Sequence, residues 1–241
     1  DEERKIVETL HRTSREVIKT LEKIVRDLKE VLKKNLELTE RLIKRVHEVS
    51  REILRLTREN KVDEKDLERI HRELEKEIRE VLEKSERDAR DLLRKVERAI
   101  EELRERHKRV LEDLRRKGVP EELIRIFADL VRANTRVLET LLRILKELVD
   151  RSRDVLRKLI EIVEELARMN KEVLRKLKER DDDRVKKELE DANREVNKKL
   201  EEVLREIREL HKRVLDRLDE VLRRVEEINK RVNERLDRTA K

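Results

Sequence analysis

Leu, Val and Ile recur at steps of three and four along almost the entire chain, and only three short stretches break that rhythm. Apolar residues at this spacing fall on one face of an α-helix, so the pattern commits the chain to long amphipathic helices. The first break is Asn60-Lys61-Val62-Asp63, where Asp63, with Asp66 three positions on, reads as a helix N-cap with acidic support in the first turn. The second is Gly118-Val119-Pro120-Glu121-Glu122. Gly suits the left-handed residue just past a helix, and Pro suits a first turn whose N–H would be unpaired anyway. The third is Arg180-Asp181-Asp182-Asp183, with basic residues closing one helix and Asp capping the next. The spacing predicts helices over 2–59, 64–117, 120–179 and 182–238, each about 58 residues or about 85 Å long. Loops this short make sequential helices antiparallel neighbours, so the expected fold is all-α: a single-chain, antiparallel, up-down-up-down four-helix bundle of long, nearly straight helices, with residues 1–241 as one domain.

An internal repeat sharpens this expectation. Glu188–Arg205, Glu206–Arg223 and Arg224–Lys241 align as three 18-residue units, with Asn193, His211 and Asn229 in register. Ile126–Arg143, Ile144–Glu161 and Ile162–Glu179 likewise align Asn134, Ser152 and Asn170, while Ile6–Lys23 and Leu42–Glu59 match His11 to His47 and Ser14 to Ser50. Eighteen residues complete five turns of a straight helix, whereas a strict seven-residue repeat forces a left-handed supercoil.

Composition removes most chemistries. There is no Cys, hence no disulfide, thiolate nucleophile or cysteine metal site. One Gly cannot build a phosphate-cradling loop. Without Trp or Tyr, and with Phe127 as the one Phe, no aromatic platform can stack bases. The 68 basic and 61 acidic side chains are interleaved, so the net charge of +7 favours solubility over any anionic partner, and nucleic acid is not expected. No run of about 18 apolar residues occurs, and no membrane association is expected. The acidic start, Asp1-Glu2-Glu3-Arg4-Lys5, has no apolar signal core, so nothing is expected to mark the chain for secretion.

The chemistry that remains lies on the apolar stripes. In antiparallel neighbours, residues at one height share a constant sum of residue numbers. That condition is met by His11 with His107 and His47 with His71, by His107 with Asn134 and His71 with Asn170, and by Asn134 with Asn229, Ser152 with His211 and Asn170 with Asn193. Two layers follow: His11, His107, Asn134 and Asn229, and His47, His71, Asn170 and Asn193. A looser middle layer holds Ser152 and His211, with Asn35 and Ser85 within about one turn. Asn197, Asn233, Ser14 and Ser50 extend the outer layers. Neutral His and Asn each offer donors and acceptors, so a ring of four can be satisfied, and a slipped register that strands them costs roughly 1–3 kcal/mol per group. The expected role is therefore structural, specifying helix pairing and register.

Metal binding is not expected, because each layer adds only Asn and Ser to its His and no i,i+4 His pair occurs. Ser152 beside His211 has the residue types of a nucleophile and base but no Gly turn and no cleft, so no enzyme activity is expected. A buried neutral His resists protonation, which predicts stability that falls as pH drops below about 6.5.

The 18-residue units, the layered His/Asn/Ser sets, the Gly118-Val119-Pro120-Glu121-Glu122 loop, the repetitive Glu/Lys/Arg surfaces and the absent Gln, Trp, Tyr and Cys resemble de novo designed helical bundles, in particular parametrically built straight four-helix bundles with hydrogen-bond networks. The resemblance spans the whole chain. It implies a scaffold with no natural activity, no cofactor and no required partner. A different reading is an interaction module, in which helical hairpins pair between chains as a homo- or hetero-oligomer. Small-angle scattering should return a monomeric rod about 85 Å long; a much longer or a globular particle would reject the architecture.

Overall fold

The computed structural model describes residues 2–59, 61, 63–179 and 183–239. These form four helices, α1 (Glu2–Arg58), α2 (Glu64–Arg116), α3 (Glu121–Glu179) and α4 (Asp183–Thr239), within a few residues of the limits read from the sequence, and no strand occurs among the described residues. The expected α3–α4 break at 180–182 lies outside the described residues, as do Asn60 and Val62 of the first break.

The described turns behave as their residues dictate. Gly118 has φ +67°, its N–H donates to Arg115 O, and the Val119 N–H donates to Leu114 O. That pair of bonds is a Schellman cap, and Val119 and Leu114 complete it by burying together in one apolar cluster. At the start of α2, Asp63 accepts the Asp66 backbone N–H at 2.8 Å, and this bond holds its carboxyl below the usual range. Pro120 stands just outside α3, where its carbonyl accepts from Leu123 and Ile124.

By mutual contact the chain divides into two compact units. Unit 1 comprises Asp1–Val31, Ala89–Leu148 and Arg213–Lys241; unit 2 comprises Leu32–Asp88 and Val149–Lys212. Each contains a stretch of all four helices.

Cross-helix ion pairs define the order within each unit. In unit 2, Lys158–Glu206, Glu165–Lys199 and Lys176–Glu188 climb α3 as they descend α4. Glu64–Arg175, Glu68–Lys171 and Glu86–Arg153 do the same between α2 and α3. Arg45–Glu77 ties α1 to α2, and Glu40–Arg208 with Arg58–Glu190 ties α1 to α4. Unit 1 repeats the scheme through Glu16–Arg106, Arg104–Glu139, Asp129–Arg235, Glu147–Arg217 and Lys29–Asp219. Each unit is thus a closed antiparallel ring in which every helix touches the one before and the one after. Most of these pairs are solvent-exposed and worth about 0.2–1 kcal/mol each, so they mark the rim of the bundle without holding it together.

Apolar burial holds it together. Unit 1 buries Leu10, Leu123, Ile126, Phe127, Leu130 and Leu236 in one cluster, and unit 2 buries Val46, Ile53, Ile78, Leu159, Val163 and Leu200 in another. Hiding each such side chain contributes about 1.5–3 kcal/mol. No large apolar side chain is exposed among the described residues.

Gly118→Ala isolates the cap's backbone requirement, because an added Cβ there would meet nothing within 4 Å. Chemical denaturation should show a loss of about 1 kcal/mol from left-handed strain alone, with Gly118→Asn losing less. An unchanged midpoint for Ala would mean that the left-handed cap is not needed.

Candidate functional site

Polar side chains sit where the apolar stripes of neighbouring helices meet. Ser14 follows Leu10 on the inner face of α1 and is fully buried; Asn229 lies between Val225 and Val232 on α4. The Ser14 hydroxyl donates to Asn229 Oδ1 at 2.6 Å, and Asn229 Nδ2 donates to the Val225 carbonyl of its own helix at 2.7 Å. Unit 2 repeats this with Ser50 donating to Asn193 Oδ1, and with Asn193 Nδ2 donating to Leu189 O at 2.8 Å. One turn away in each unit a histidine meets a second asparagine. His11 Nδ1 and Asn233 Oδ1 are 2.9 Å apart, as are His47 Nδ1 and Asn197 Oδ1. His11 also places Nε2 3.1 Å from the exposed Asp237 carboxylate.

The remaining outer-layer residues are buried, with polar atoms that have no partner. His107 and Asn134 in unit 1, and His71 and Asn170 in unit 2, are 0–5% exposed. Neither nitrogen of His71, neither polar atom of Asn134 or Asn170, and not the Nε2 of His107 has a hydrogen-bond partner. His107 instead meets Phe127 edge-on, with ring centroids 5.8 Å apart and planes at 83°. The expected four-membered rings therefore do not close. Buried polar layers are present, but their hydrogen bonds join α1 to α4 in pairs and stop there. The reason is orientation: an asparagine whose amide nitrogen donates to its own i−4 carbonyl and whose oxygen accepts from a serine is held toward α1, although one N–H and one oxygen lone pair stay uncommitted.

The middle set lies entirely in unit 2. Ser85 is buried, whereas Asn35, Ser152 and His211 are half-buried, and no hydrogen bond joins any two of them. His211 Nε2 is buried and unpartnered.

Three kinds of residue escaped the sequence reading. Thr13, Thr39 and Thr57 are buried on the inner face of α1, each hydroxyl donating to the carbonyl four residues back. Their stripe positions were the available signal. Asp237 is one turn beyond Asn233, and Phe127 lies among Leu and Ile with nothing in the sequence to pair it with His107.

Burial lowers the affinity of His71 for a proton, from the ordinary 6.5 to about 4. Burial also lowers His107, helped by the nearby positive charge of Arg106, and it lowers His211 against an opposing pull from Glu40. No group of three His, Asp or Glu side chains that could hold a metal occurs among the described residues. In unit 2 a groove of about 320 Å³ between α1 and α2 is lined by Arg45, Glu52, Asp66, Arg69 and Glu73 over Val49 and Leu74. It brings mixed charge together but no histidine or hydroxyl, so it holds no nucleophile–base pair.

Neither a protein-family profile nor a curated protein matches the chain. Among solved structures, a chain described as a "computationally designed three helix bundle" is similar over 97% of this chain and 93% of its own length, at 14% identity and a TM-score of 0.38. A superposition that loose carries no argument about topology or role.

The sign of the acid response follows from these histidines. Between about pH 6.5 and pH 4 an unfolded chain protonates His71 while the folded chain does not, so stability present above pH 6.5 is lost as pH falls. By pH 4 the loss from His71 should approach about 3 kcal/mol. Denaturation midpoints at pH 7.5 and 4.5 should therefore diverge for the wild type and converge in part for His71→Leu. Equal wild-type midpoints would place the imidazole in water.

Proposed function

We propose that the chain is a designed structural scaffold without natural biochemical activity, whose buried polar groups specify how α1 pairs with α4. The observation that carries this reading is duplication. The same Ser–Asn and His–Asn pairs occur in both units, between the same two helices, and His11–Asn233 and His47–Asn197 have equal lengths of 2.9 Å. A catalytic constellation is built once, around a cleft; a register device gains from repetition, because each copy penalises the same slip. A helix displaced by one turn would keep at most one polar pair per unit, setting Ser14 against Asn233 or His11 against Asn229, and would strand the remaining groups at roughly 1–3 kcal/mol each. The chain needs no cofactor, nucleic acid or membrane in this role. The absence of large exposed apolar side chains among the described residues favours a self-sufficient monomer over hairpins that await a partner.

Replacing the four paired groups with apolar ones (Ser14→Ala, Ser50→Ala, Asn193→Leu, Asn229→Leu) tests this. The variant should keep its helical circular dichroism and lose none of its resistance to denaturant. It should also lose uniqueness, showing broadened or multiplied amide resonances and species above the 29.5 kDa monomer in light scattering. A monodisperse 29.5 kDa variant with one sharp set of resonances would end the register reading.

A further inference from the structure

The outer-layer histidines occupy equivalent stripe positions but have two kinds of surroundings. On α1, His11 presents Nδ1 to the Asn233 oxygen and Nε2 to the Asp237 carboxylate, and His47 presents Nδ1 to the Asn197 oxygen. Acceptors therefore face these rings from α4. Both rings are half-buried, so water reaches them.

On α2 the situation is reversed. His71 is 5% exposed with both nitrogens unbonded, and His107 is 3% exposed with Nε2 unbonded beside the Phe127 ring edge. Their α3 neighbours in the layers, Asn170 and Asn134, bond to neither ring. The charged groups at these levels stand on the rim and are largely committed elsewhere. Around His71, α1 contributes Arg45, paired with Glu77, and Glu52 in the α1–α2 groove, with Arg69 and Glu73 on α2 itself. From α3 comes Lys171, paired with Glu68; α4 contributes Asn193 and Asn197, with His47 of α1 bonded to the latter. Around His107, Arg106 of its own helix is paired with Glu16 of α1, Glu139 of α3 with Arg104, and Arg235 of α4 with Asp129 of α3; His11 of α1 is bonded to α4. No carboxylate bonds either α2 imidazole.

We infer that α2 carries an acid-release device: proton uptake by His71 in unit 2 and by His107 in unit 1 drives each imidazole out of the seam and frees α2 from α3, while α1 remains paired with α4. An imidazolium has two donors that must be met, and at each level the seam holds one uncommitted amide oxygen, of Asn170 or Asn134, which bonds neither ring and could meet only one of the two donors. The nearest escape is rotation of α2 toward water, which gives up the α2–α3 contacts first. The α1–α4 pairs need no such release, since their rings already face acceptors and stand within reach of water. This device deepens the scaffold reading by giving it a trigger, and it uses that reading only for the persistence of the α1–α4 pairs.

Hydrogen exchange followed by mass spectrometry on the full chain tests it, with labelling at pH 7.5 and pH 5.0 corrected for the intrinsic rate. Burial of His71 predicts α2 peptides around residue 71 that open about 30-fold more often at pH 5.0, with a rise also around residue 107, while α1 and α4 peptides around Ser14, Ser50, Asn193 and Asn229 change by less than about threefold. The double variant His71→Met, His107→Met should abolish the α2 response, and His11→Gln, His47→Gln should leave it intact. Acid-induced exchange rising equally in all four helices, or persisting in the Met variant, would overturn the device. If the Met variant does not fold, the helix-by-helix comparison in the wild type decides alone. Chain mass and resonance count at pH 7.5 are untouched by this test, so its failure would leave the register reading standing.

Discussion

Everything distinctive about this chain follows from the cost of placing a hydrogen-bonding group where water cannot follow. A seam of Leu, Val and Ile between two helices asks nothing of register beyond bulk fit, because one apolar side chain replaces another with little penalty. A hydroxyl or amide in the same seam must find a partner inside it or forfeit its hydration. Ser14 with Asn229 and Ser50 with Asn193 meet that demand with a minimum of groups: the hydroxyl proton goes to the amide oxygen, and an amide proton goes to the carbonyl four residues back. The second bond anchors the asparagine to its own helix. The first then fixes the height of α1 on α4 to within the reach of a single side chain.

The α2–α3 seam has no such closure, and the difference is one of residue type. Both outer layers place His on α2 opposite Asn on α3, two groups that could bond, yet neither seam contains a serine to take the asparagine oxygen, and neither asparagine bonds its own backbone. The stripes bury His71 and Asn170 as thoroughly as they bury leucines. The apolar burial of Leu74 and Leu166 on one side, and of Leu67 and Leu174 on the other, must therefore carry the burden of holding these groups in the dry interior. The same chain thus contains a seam whose polar groups stabilise one register and a seam whose polar groups are tolerated only while neutral.

The helices and their order were legible because the signals are local. Gly118, Pro120 and Asp63 each act within one turn, and the apolar period needs no knowledge of partners. Heights were legible too, since antiparallel neighbours tie residue numbers together. Which atoms bond at a given height was not. Ser14, Ser50, Asn197 and Asn233, read as extensions of the layers, are the bonded partners, whereas His107 and Asn134, read as ring members, bond to nothing at the expected positions. Register gives position along an axis but not rotation about it, nor the competition from a side chain's own i−4 carbonyl. That competition also hid Thr13, Thr39 and Thr57, whose hydroxyls are satisfied before they can reach another helix.

Duplication carries a hazard that the short α2–α3 turn answers. His71 and His107, like Asn134 and Asn170, are separated by 36 residues, so α2 slipped along α3 by one such repeat would still set a histidine against an asparagine. The buried code alone cannot reject that slip. Chain connectivity can, because 36 residues of helix rise about 54 Å, whereas the stretch between Arg116 and Glu121 reaches less than about 20 Å when fully extended. Such a slip would also strip much of α2 of its partner helix and expose its apolar stripe to water. The rim charges favour the same register. In unit 1, α2 contributes the cation and α3 the anion, as in Arg104–Glu139; in unit 2, α2 contributes the anions and α3 the cations, as in Glu68–Lys171, Glu64–Arg175 and Glu86–Arg153. The slip would bring Arg104 to the place of Glu68, against Lys171. Exposed pairs of this kind contribute a fraction of a kcal/mol each, so they reinforce a pairing that the turn and the apolar stripes have already selected.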